Sequence, residues 1–235
     1  KLTAMTSLSI DSNAIEILPV CIVTLSRLIK LTFSSNSIVY IPWQIGYRAP
    51  LFEEFEYASN PLRFPHPSIQ NLGWKHVLNY LHRGTCCVTN NFLDFSCLPL
   101  TSFDHQMDHL TSTTNLCLND CAVTSFQDHF TLLTRLSTLS GQRMKVQTLH
   151  KDIGTFKALD SIKFICCPLT KGIPISLAEC NLMHTMSFRN CCLSELDDDL
   201  FMSMLHLRSL DVSGNFLTCM PSTLKQCTSL TSLCI

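Results

Sequence analysis

The residues best suited to hold a metal ion are two histidines one helical turn apart. His105 and His109 have a spacing that can bind zinc on a helix, and an aspartate precedes each of them, Asp104 and Asp108. A zinc-protease motif of this spacing needs a glutamate after the first histidine as general base, and Gln106 stands there instead. We interpret the segment as the solvated start of a helix, with aspartate near its positive end. No metal site is predicted.

Other chemical motifs are equally weak. The acidic run at residues 195–199 lacks the alternating ligands and the glycine of a calcium-binding loop, so a solvated acidic turn is the better interpretation. The sequence contains no G-x-S-x-G nucleophile motif, no P-loop and no dinucleotide-binding fingerprint. It therefore predicts no catalytic residue and no cofactor.

The fourteen cysteines could form disulfides or bind a metal, but their spacing favours neither. No C-x-x-C motif occurs, and the adjacent pairs 86–87, 166–167 and 191–192 would face opposite ways on a strand. The chain also contains no N-x-[ST] glycosylation sequon. We expect reduced thiols and a cytoplasmic location, because disulfides are rare in that compartment.

Composition indicates a globular chain of 235 residues, with 46% hydrophobic and 15% charged residues. This excludes a disordered chain, and a net charge of −1 does not favour nucleic acid as a partner. The longest uncharged apolar stretch near the start, residues 17–26, is too short for a membrane span, and no signal peptide is evident. The chain begins at Lys1 and stops in the middle of a pattern, so we expect a piece of a longer protein.

One pattern recurs along nearly the whole chain. It is L-x-x-L-x-L-x-x-N/C-x-L, and near the end it runs from Leu207 through Leu210, Val212 and Asn215 to Leu217. A further copy begins at Leu230 and is cut off at Ile235. The other copies include Met5, Leu28, Phe52, Leu116, Leu136, Leu159 and Met183.

This pattern resembles the leucine-rich repeat. The endings Leu18-Pro19 and Ile41-Pro42 resemble the 23-residue cytoplasmic type found in Ras-group and Roco-type proteins, although residues 171–177 lean toward the plant extracellular type. The resemblance implies an α/β fold, a curved leucine-rich-repeat solenoid. A parallel strand ladder would form its concave side, and helical or irregular segments its convex side.

The asparagine or cysteine of the pattern lies where the chain leaves each strand. Its side chain has to be buried and to donate to backbone carbonyls that would otherwise stay unpaired. Met144 stands at this position in one repeat and has no donor, so that turn is expected to be the least satisfied. The residues predicted to have this structural role are Asn13, Asn36, Asn60, Asn91, Cys121, Cys167, Cys191 and Asn215.

The middle of the chain departs from the regular period. Residues 74, 77, 78 and 81 are apolar at the spacing of an amphipathic helix, and the segment resembles the one that closes Roco-type arrays. One interpretation is a long convex-side helix within a continuous solenoid. The other is a true cap, with a second solenoid beginning near residue 104.

A hidden repeat favours the continuous solenoid. It reads Cys86-x-Val88-x-x-Asn91-x-Leu93 and would put Cys87 beside Cys117 on adjacent strands. The predicted divisions are residues 1–82, which are three repeats ending in the helix; 83–103, a degenerate repeat or linker; and 104–235, the continuing repeats with the last one truncated.

The side chains that flank the apolar strand positions would project from the concave side. Three of them, Glu53, Glu54 and Glu56, form the one dense charge cluster, which either keeps the protein soluble or accepts lysine or arginine from a partner. The predicted partner-binding residues are Lys30, Thr32, Glu53, Glu54, Glu56, Asn115, Asn119, Ser140, Gln142, Lys163, Ser187, Arg189, Arg208 and Asp211.

The sequence thus predicts a non-enzymatic scaffold for protein–protein recognition, with a protein partner and no nucleic acid. The resemblance implies the repeat segment of a larger intracellular signalling protein, often beside a small GTPase or a kinase. Two alternatives stay open: the ligand-binding ectodomain of a receptor, and the sensor domain of a larger enzyme.

Overall fold

The protein consists of two compact units, Lys1–Asn90 and Asn91–Ile235, which we call unit 1 and unit 2. The structure is a computed structural model and describes residues 2, 4–102 and 110–235. The histidine pair at 105 and 109 lies outside the described residues, so its predicted helix start stays a prediction.

Unit 1 contains a three-stranded parallel sheet in the order β1-β2-β3. The strands are β1 Ser7–Ser9, β2 Lys30–Thr32 and β3 Glu54–Glu56. Their register aligns Leu8 with Leu31 and Leu31 with Phe55, which are the same position of the sequence pattern. Short 3-10 turns follow the strands at Val20–Thr24, Trp43–Tyr47 and Ala49–Leu51.

Unit 1 ends in two helices, α1 Pro67–Gln70 and α2 Trp74–Asn90. Helix α2 packs on the Trp43–Tyr47 turn, where the ring of Trp43 lies 5.1 Å from that of Tyr80 and 4.8 Å from that of Phe64. The predicted amphipathic helix is therefore present, and it is longer than its first apolar positions indicated.

The hidden repeat is wrong at its start, because Cys86, Cys87 and Val88 are helical and not in a strand. The buried positions of α2 continue at helical spacing through Gly84 to Cys87, so one face of the helix packs along its whole length. The helix stops at Asn90, and Asn91 has φ 57°, a left-handed conformation common after a helix end.

Unit 2 contains a seven-stranded parallel sheet whose strands follow one another in chain order. The 3-10 turns described in this unit include Asp128–Leu132, Ile153–Thr155, Ile175–Glu179, Asp198–Phe201 and Ser222–Gln226. The strands are β4 Phe92–Asp94, β5 Asn115–Cys117, β6 Thr138–Gln142, β7 Ser161–Ile165, β8 Thr185–Arg189, β9 Ser209–Asp211 and β10 Ser232–Cys234.

The first repeat of unit 2 is shifted relative to the hidden repeat. Leu93 pairs with Leu116, which places Leu98, and not Asn91, at the asparagine or cysteine position. Leu98 is buried, and Asn91 accepts hydrogen bonds from the next repeat through its carbonyl only. The structural role predicted for Asn91 is therefore wrong.

Every turn off a strand uses the same backbone conformation. The residue directly before the asparagine or cysteine position has φ between 52° and 71° in all nine of these turns in the described part of the chain. Only glycine adopts this region without steric cost, so the surrounding repeat has to hold the other residues there. These residues are Ser12, Ser35, Ser59, Cys97, Asp120, Arg143, Cys166, Asn190 and Gly214.

Three of the turn asparagines each connect their own repeat to the one before it. Asn36 Nδ2 donates to the carbonyls of Ile10 and Phe33 at 3.0 Å, and Asn36 Oδ1 accepts from the backbone of Ile15. Asn60 and Asn215 make the corresponding contacts. Because these bonds span two repeats, they stabilise the stacking as well as the turn.

Burial of these asparagines is less uniform than predicted. Asn36 is buried at 8% exposure, whereas Asn60 and Asn215 are half-buried. Asn13 is exposed and donates only to Ile10 and Asp11 of its own repeat. The prediction of a buried Asn13 is wrong, because in the described residues no repeat lies before it to cover the side chain.

Cysteine replaces asparagine with similar contacts. The Sγ atom of Cys121 donates to the Phe95 carbonyl at 3.1 Å, and Sγ of Cys191 donates to the Phe164 carbonyl at 3.2 Å. Cys167 reaches the carbonyls of the equivalent positions with longer bonds. Burial raises the pKa of Cys121 and of Cys191 to about 12, so these thiols stay protonated and able to donate.

Met144 has no donor, and a glycine in the same repeat makes room for it. Met144 is buried, and a Cβ added to Gly141 would lie 2.2 Å from its Sδ atom. The neighbouring repeat has Phe164 in register with Gly141 and Cys167 in place of methionine. The glycine and the methionine are therefore a matched pair.

Replacing Gly141 alone by phenylalanine should lower the free energy of unfolding by about 2 kcal/mol, because the ring would overlap Met144. The double change Gly141→Phe with Met144→Cys should recover most of this loss, giving a coupling of about 1–3 kcal/mol. Chemical denaturation followed by far-ultraviolet circular dichroism measures both. Additive losses in the two single variants and the double variant would contradict the pairing.

Candidate protein-binding surface

The solvent side of each sheet, which we call the ladder face, is built from three rows of side chains. The repeat pattern has two inward-facing positions at each strand, and the rows contain the residue before them, the residue between them and the residue after them. The register shows that each row aligns from strand to strand, as the sequence pattern predicted. The central row of unit 2 contains Asp94, Cys117, Ser140, Lys163, Ser187, Asp211 and Cys234.

One member of this row was predicted incorrectly. Asp94 aligns with Cys117, and Cys87 lies instead in α2 of unit 1. Asp94 Oδ1 accepts a hydrogen bond from the backbone of Ser96 at 2.8 Å, and Asp211 accepts one from Ser213 in the same way. The correct strand frame, set by Leu93 and Phe95, was visible in the sequence.

The structure brings the other predicted residues of unit 2 onto its ladder face. Asn115 lies in the row before the central one, and Asn119, Gln142 and Arg189 lie in the row after it. Arg208 directly precedes β9 and lines a surface depression with Asp160, His184 and Thr185.

The charges on this part of the ladder face are few and separate. Lys163 and Arg189 are exposed, and neither takes part in an ion pair among the residues that the structure describes. Asn119 donates to Cys117 Sγ at 3.1 Å, which fixes its orientation. Lys163 and Arg189 thus lie among small polar side chains and the carboxylates of the central row.

The ladder face of unit 1 carries the predicted acidic cluster. Lys30 Nζ lies 3.2 Å from Glu54 Oε2, and both side chains are about half exposed, at 48% and 44%. Glu53 and Glu56 are exposed. Lys30 therefore neutralises one of the three carboxylates, and the ion pair is too exposed to stabilise the fold appreciably.

A hydrogen-bonded cluster holds the neighbouring strands of unit 1. Asp11 accepts from Thr32 Oγ1 at 2.5 Å, from Ser9 Oγ at 2.8 Å and from the backbone of Ser34 at 2.6 Å. The hydrogen bond from Thr32 lowers the pKa of Asp11 more than burial raises it, and the bonds from Ser9 and Ser34 lower it further. Thr32, a predicted contact residue, is thus already bonded to Asp11.

Sequence reasoning missed an ion pair at the edge of unit 2. Arg143 and Asp120 occupy the left-handed position of consecutive repeats and form two hydrogen bonds, at 2.6 and 2.7 Å. The bonds from Arg143 lower the pKa of Asp120. The shared position in the repeat was a usable signal for this contact.

The described residues offer no other site chemistry. They contain no group of three or more histidine, cysteine, aspartate or glutamate side chains that could hold a metal ion. None of the helices that they form has the length and apolar character needed to cross a membrane.

Comparison with known proteins identifies structural similarity only. No protein-family model matches the sequence, and no curated protein matches it. Among solved structures, the leucine-rich repeat domain of the type III effector XopL aligns with a TM-score of 0.59 and 14% identity, covering 81% of this chain and 63% of that one. The Toll–Spatzle complex of Drosophila aligns with a TM-score of 0.61 and 23% identity, covering 94% of this chain and 28% of that one.

These similarities show that the chain has the leucine-rich-repeat fold, as the sequence pattern predicted. This chain spans less than two thirds of the length of either structure. At this identity the comparison concerns the fold, and binding partners do not transfer with it.

Proposed function

We propose that this chain is a non-catalytic recognition module that binds a protein partner on its ladder face. The observation that carries the proposal is the face of unit 2, where seven parallel strands present aligned rows of polar side chains. At a strand spacing of about 4.8 Å, the strip is about 29 Å long, enough for a protein interface.

The ladder face is suited to binding because much of it is already ordered. Asp11 holds Ser9 and Thr32, and Asp211 accepts bonds from the backbone and the hydroxyl of Ser213. A partner would not have to immobilise these side chains on binding, which lowers the entropic cost of association. The charges of Glu56, Lys163 and Arg189 would then set orientation and association rate.

We further propose that the module belongs to a cytoplasmic signalling protein. The 23-residue repeat type favours this location, and so does the use of thiols as hydrogen-bond donors at Cys121, Cys167 and Cys191. A disulfide would remove those donors. Imaging of the full-length protein in cells tests the location directly.

The binding surface is tested by charge reversal with an identified partner. A partner captured from cell extract with the chain as bait is purified, and association rates are measured at low and high salt. The variants Glu54→Lys with Glu56→Lys, and Lys163→Glu with Arg189→Glu, reverse the two charged regions. We expect at least one pair to change the association rate about tenfold at low salt.

The matched controls are Glu195→Lys and Lys145→Glu, which reverse exposed charges outside the three rows of the ladder face. They should leave the rate nearly unchanged. If both ladder-face pairs also leave the rate and its salt dependence unchanged, the partner binds elsewhere and the proposal fails.

A further inference from the structure

Unit 1 has an apolar pocket between helix α2 and the turn Ala49–Leu51. Its volume is about 310 Å³, and its walls include Pro50, Phe52, Trp74 and Leu78. Ligand pockets range from about 300 to 1,000 Å³, so this one suits a single large side chain better than a cofactor.

The rim of the pocket is cationic. Lys75 lines it, and its Nζ lies 5.4 Å from the centre of the Trp74 ring. Arg83 donates to Asn79, another lining residue, at 3.2 Å. In the described residues Lys75 takes part in no ion pair, so its charge is open to a partner.

The charge of helix α2 has one sign along its whole length. Its 17 residues include one lysine, one arginine and two histidines, and no aspartate or glutamate. Glu53 and Glu54 follow the pocket residue Phe52 into β3, and Glu54 pairs with Lys30 on the ladder face. No acidic side chain lines the pocket itself.

The helical wall of the pocket is firmly positioned. His82 Nδ1 lies 3.0 Å from the Gly46 carbonyl, so this nitrogen is the donor, and the ring is held against the Trp43–Tyr47 turn. Leu78 is buried, whereas Trp74 is only half-buried and leaves part of its ring to solvent. An aromatic ring beside a cation at the mouth of an apolar pocket is the kind of group that anchors protein interfaces.

We propose that this pocket binds an acidic peptide segment that inserts one large apolar side chain. The apolar side chain would contact Trp74, Phe52 and Leu78, and the flanking carboxylates would lie near Lys75 and Arg83. This surface is separate from the ladder face, so the inference goes beyond the proposed function and does not depend on it.

The test uses the full chain and a short fluorescein-labelled peptide with one phenylalanine flanked by glutamate and aspartate. Fluorescence anisotropy should show saturable binding that weakens with salt. Replacing the phenylalanine by alanine, or the acidic residues by lysine, should each weaken binding at least about tenfold.

Two variants of the protein locate the site. Trp74→Ala removes one wall, and Lys75→Glu with Arg83→Glu reverses the rim; each should weaken binding about tenfold or more. Lys225→Glu, a charge change in unit 2, and the ladder-face variant Glu54→Lys with Glu56→Lys should not weaken it. Circular dichroism of each variant establishes that it is folded.

Three results would overturn the inference. They are absence of binding to the wild-type chain, equal binding of the alanine peptide, and unchanged binding by the folded rim variant. Equally strong competition by a single-stranded oligonucleotide would instead indicate nucleic acid as the ligand. None of these results bears on partner binding by the ladder face, so the two proposals fail independently.

Discussion

Replacing Asn36 by leucine is expected to lower the free energy of unfolding of unit 1 by about 3 kcal/mol. Asn36 is buried and makes bonds to Ile10, Phe33 and Ser34 as donor and to Ile15 as acceptor. Leucine has a similar volume but leaves these backbone groups unpaired, and each buried unpaired group costs about 1–3 kcal/mol. Because water can reach part of the turn, we expect the loss of unfolding free energy to correspond to one or two unpaired groups rather than to all of them.

The measurement is chemical denaturation followed by tryptophan fluorescence. Both tryptophans of the chain, Trp43 and Trp74, lie in unit 1, so the signal reports on that unit. The matched control is Asn13→Leu, because Asn13 has the same place in its repeat but is exposed and bonds only within its own turn. It should cost less than about 1 kcal/mol. Equal losses in the two variants would show that bonds between repeats do not explain the role of asparagine.

Replacing Gly46 by alanine is expected to cost about 3 kcal/mol or more in the same measurement. A Cβ at this position would lie 2.2 Å from the carbonyl oxygen of Leu81 and 2.8 Å from the backbone nitrogen of His82. These are backbone atoms of α2, so no side-chain rotation relieves the overlap. The helix would have to move away from the Trp43–Tyr47 turn and lose the bond from His82 to the Gly46 carbonyl.

A suitable control is Gly73→Ala, just before α2. No atom lies within 4 Å of an added Cβ there, but φ is +93°, so the cost is backbone strain alone, about 1–2 kcal/mol. A loss at Gly46 no larger than that at Gly73 would contradict the close approach of the helix.

The spacing of apolar residues determined the strands and their alignment. Leu31 and Phe55, or Leu139 and Ile162, align because each repeat places the same residue type at the same point. The pattern of about 23 residues recurs many times along the chain. Because of this recurrence, the alignment of neighbouring strands can be predicted without any knowledge of long-range contacts. The rows of the ladder face follow directly from it.

Tertiary packing decided the helical segment at residues 82–90. The alternation of Cys86 and Val88 suggested a strand, but the same residues also continue a helical period, and short apolar runs do not distinguish the two. The helix prevails because Trp43 and the Gly46 backbone provide a surface for its buried face. Residues more than thirty positions away form this surface, so the local spacing of apolar residues does not predict it.

The sequence by itself therefore determined the leucine-rich-repeat fold, the parallel ladder and most of the residues on its solvent side. Only the tertiary structure decided where unit 1 ends, that Asn13 is exposed while Asn36 is buried, and that Gly141 makes room for Met144. The physical reason is the same in each case. Position in a repeat sets which way a side chain points, whereas burial and fit depend on the neighbouring repeat, which the pattern within one repeat does not specify.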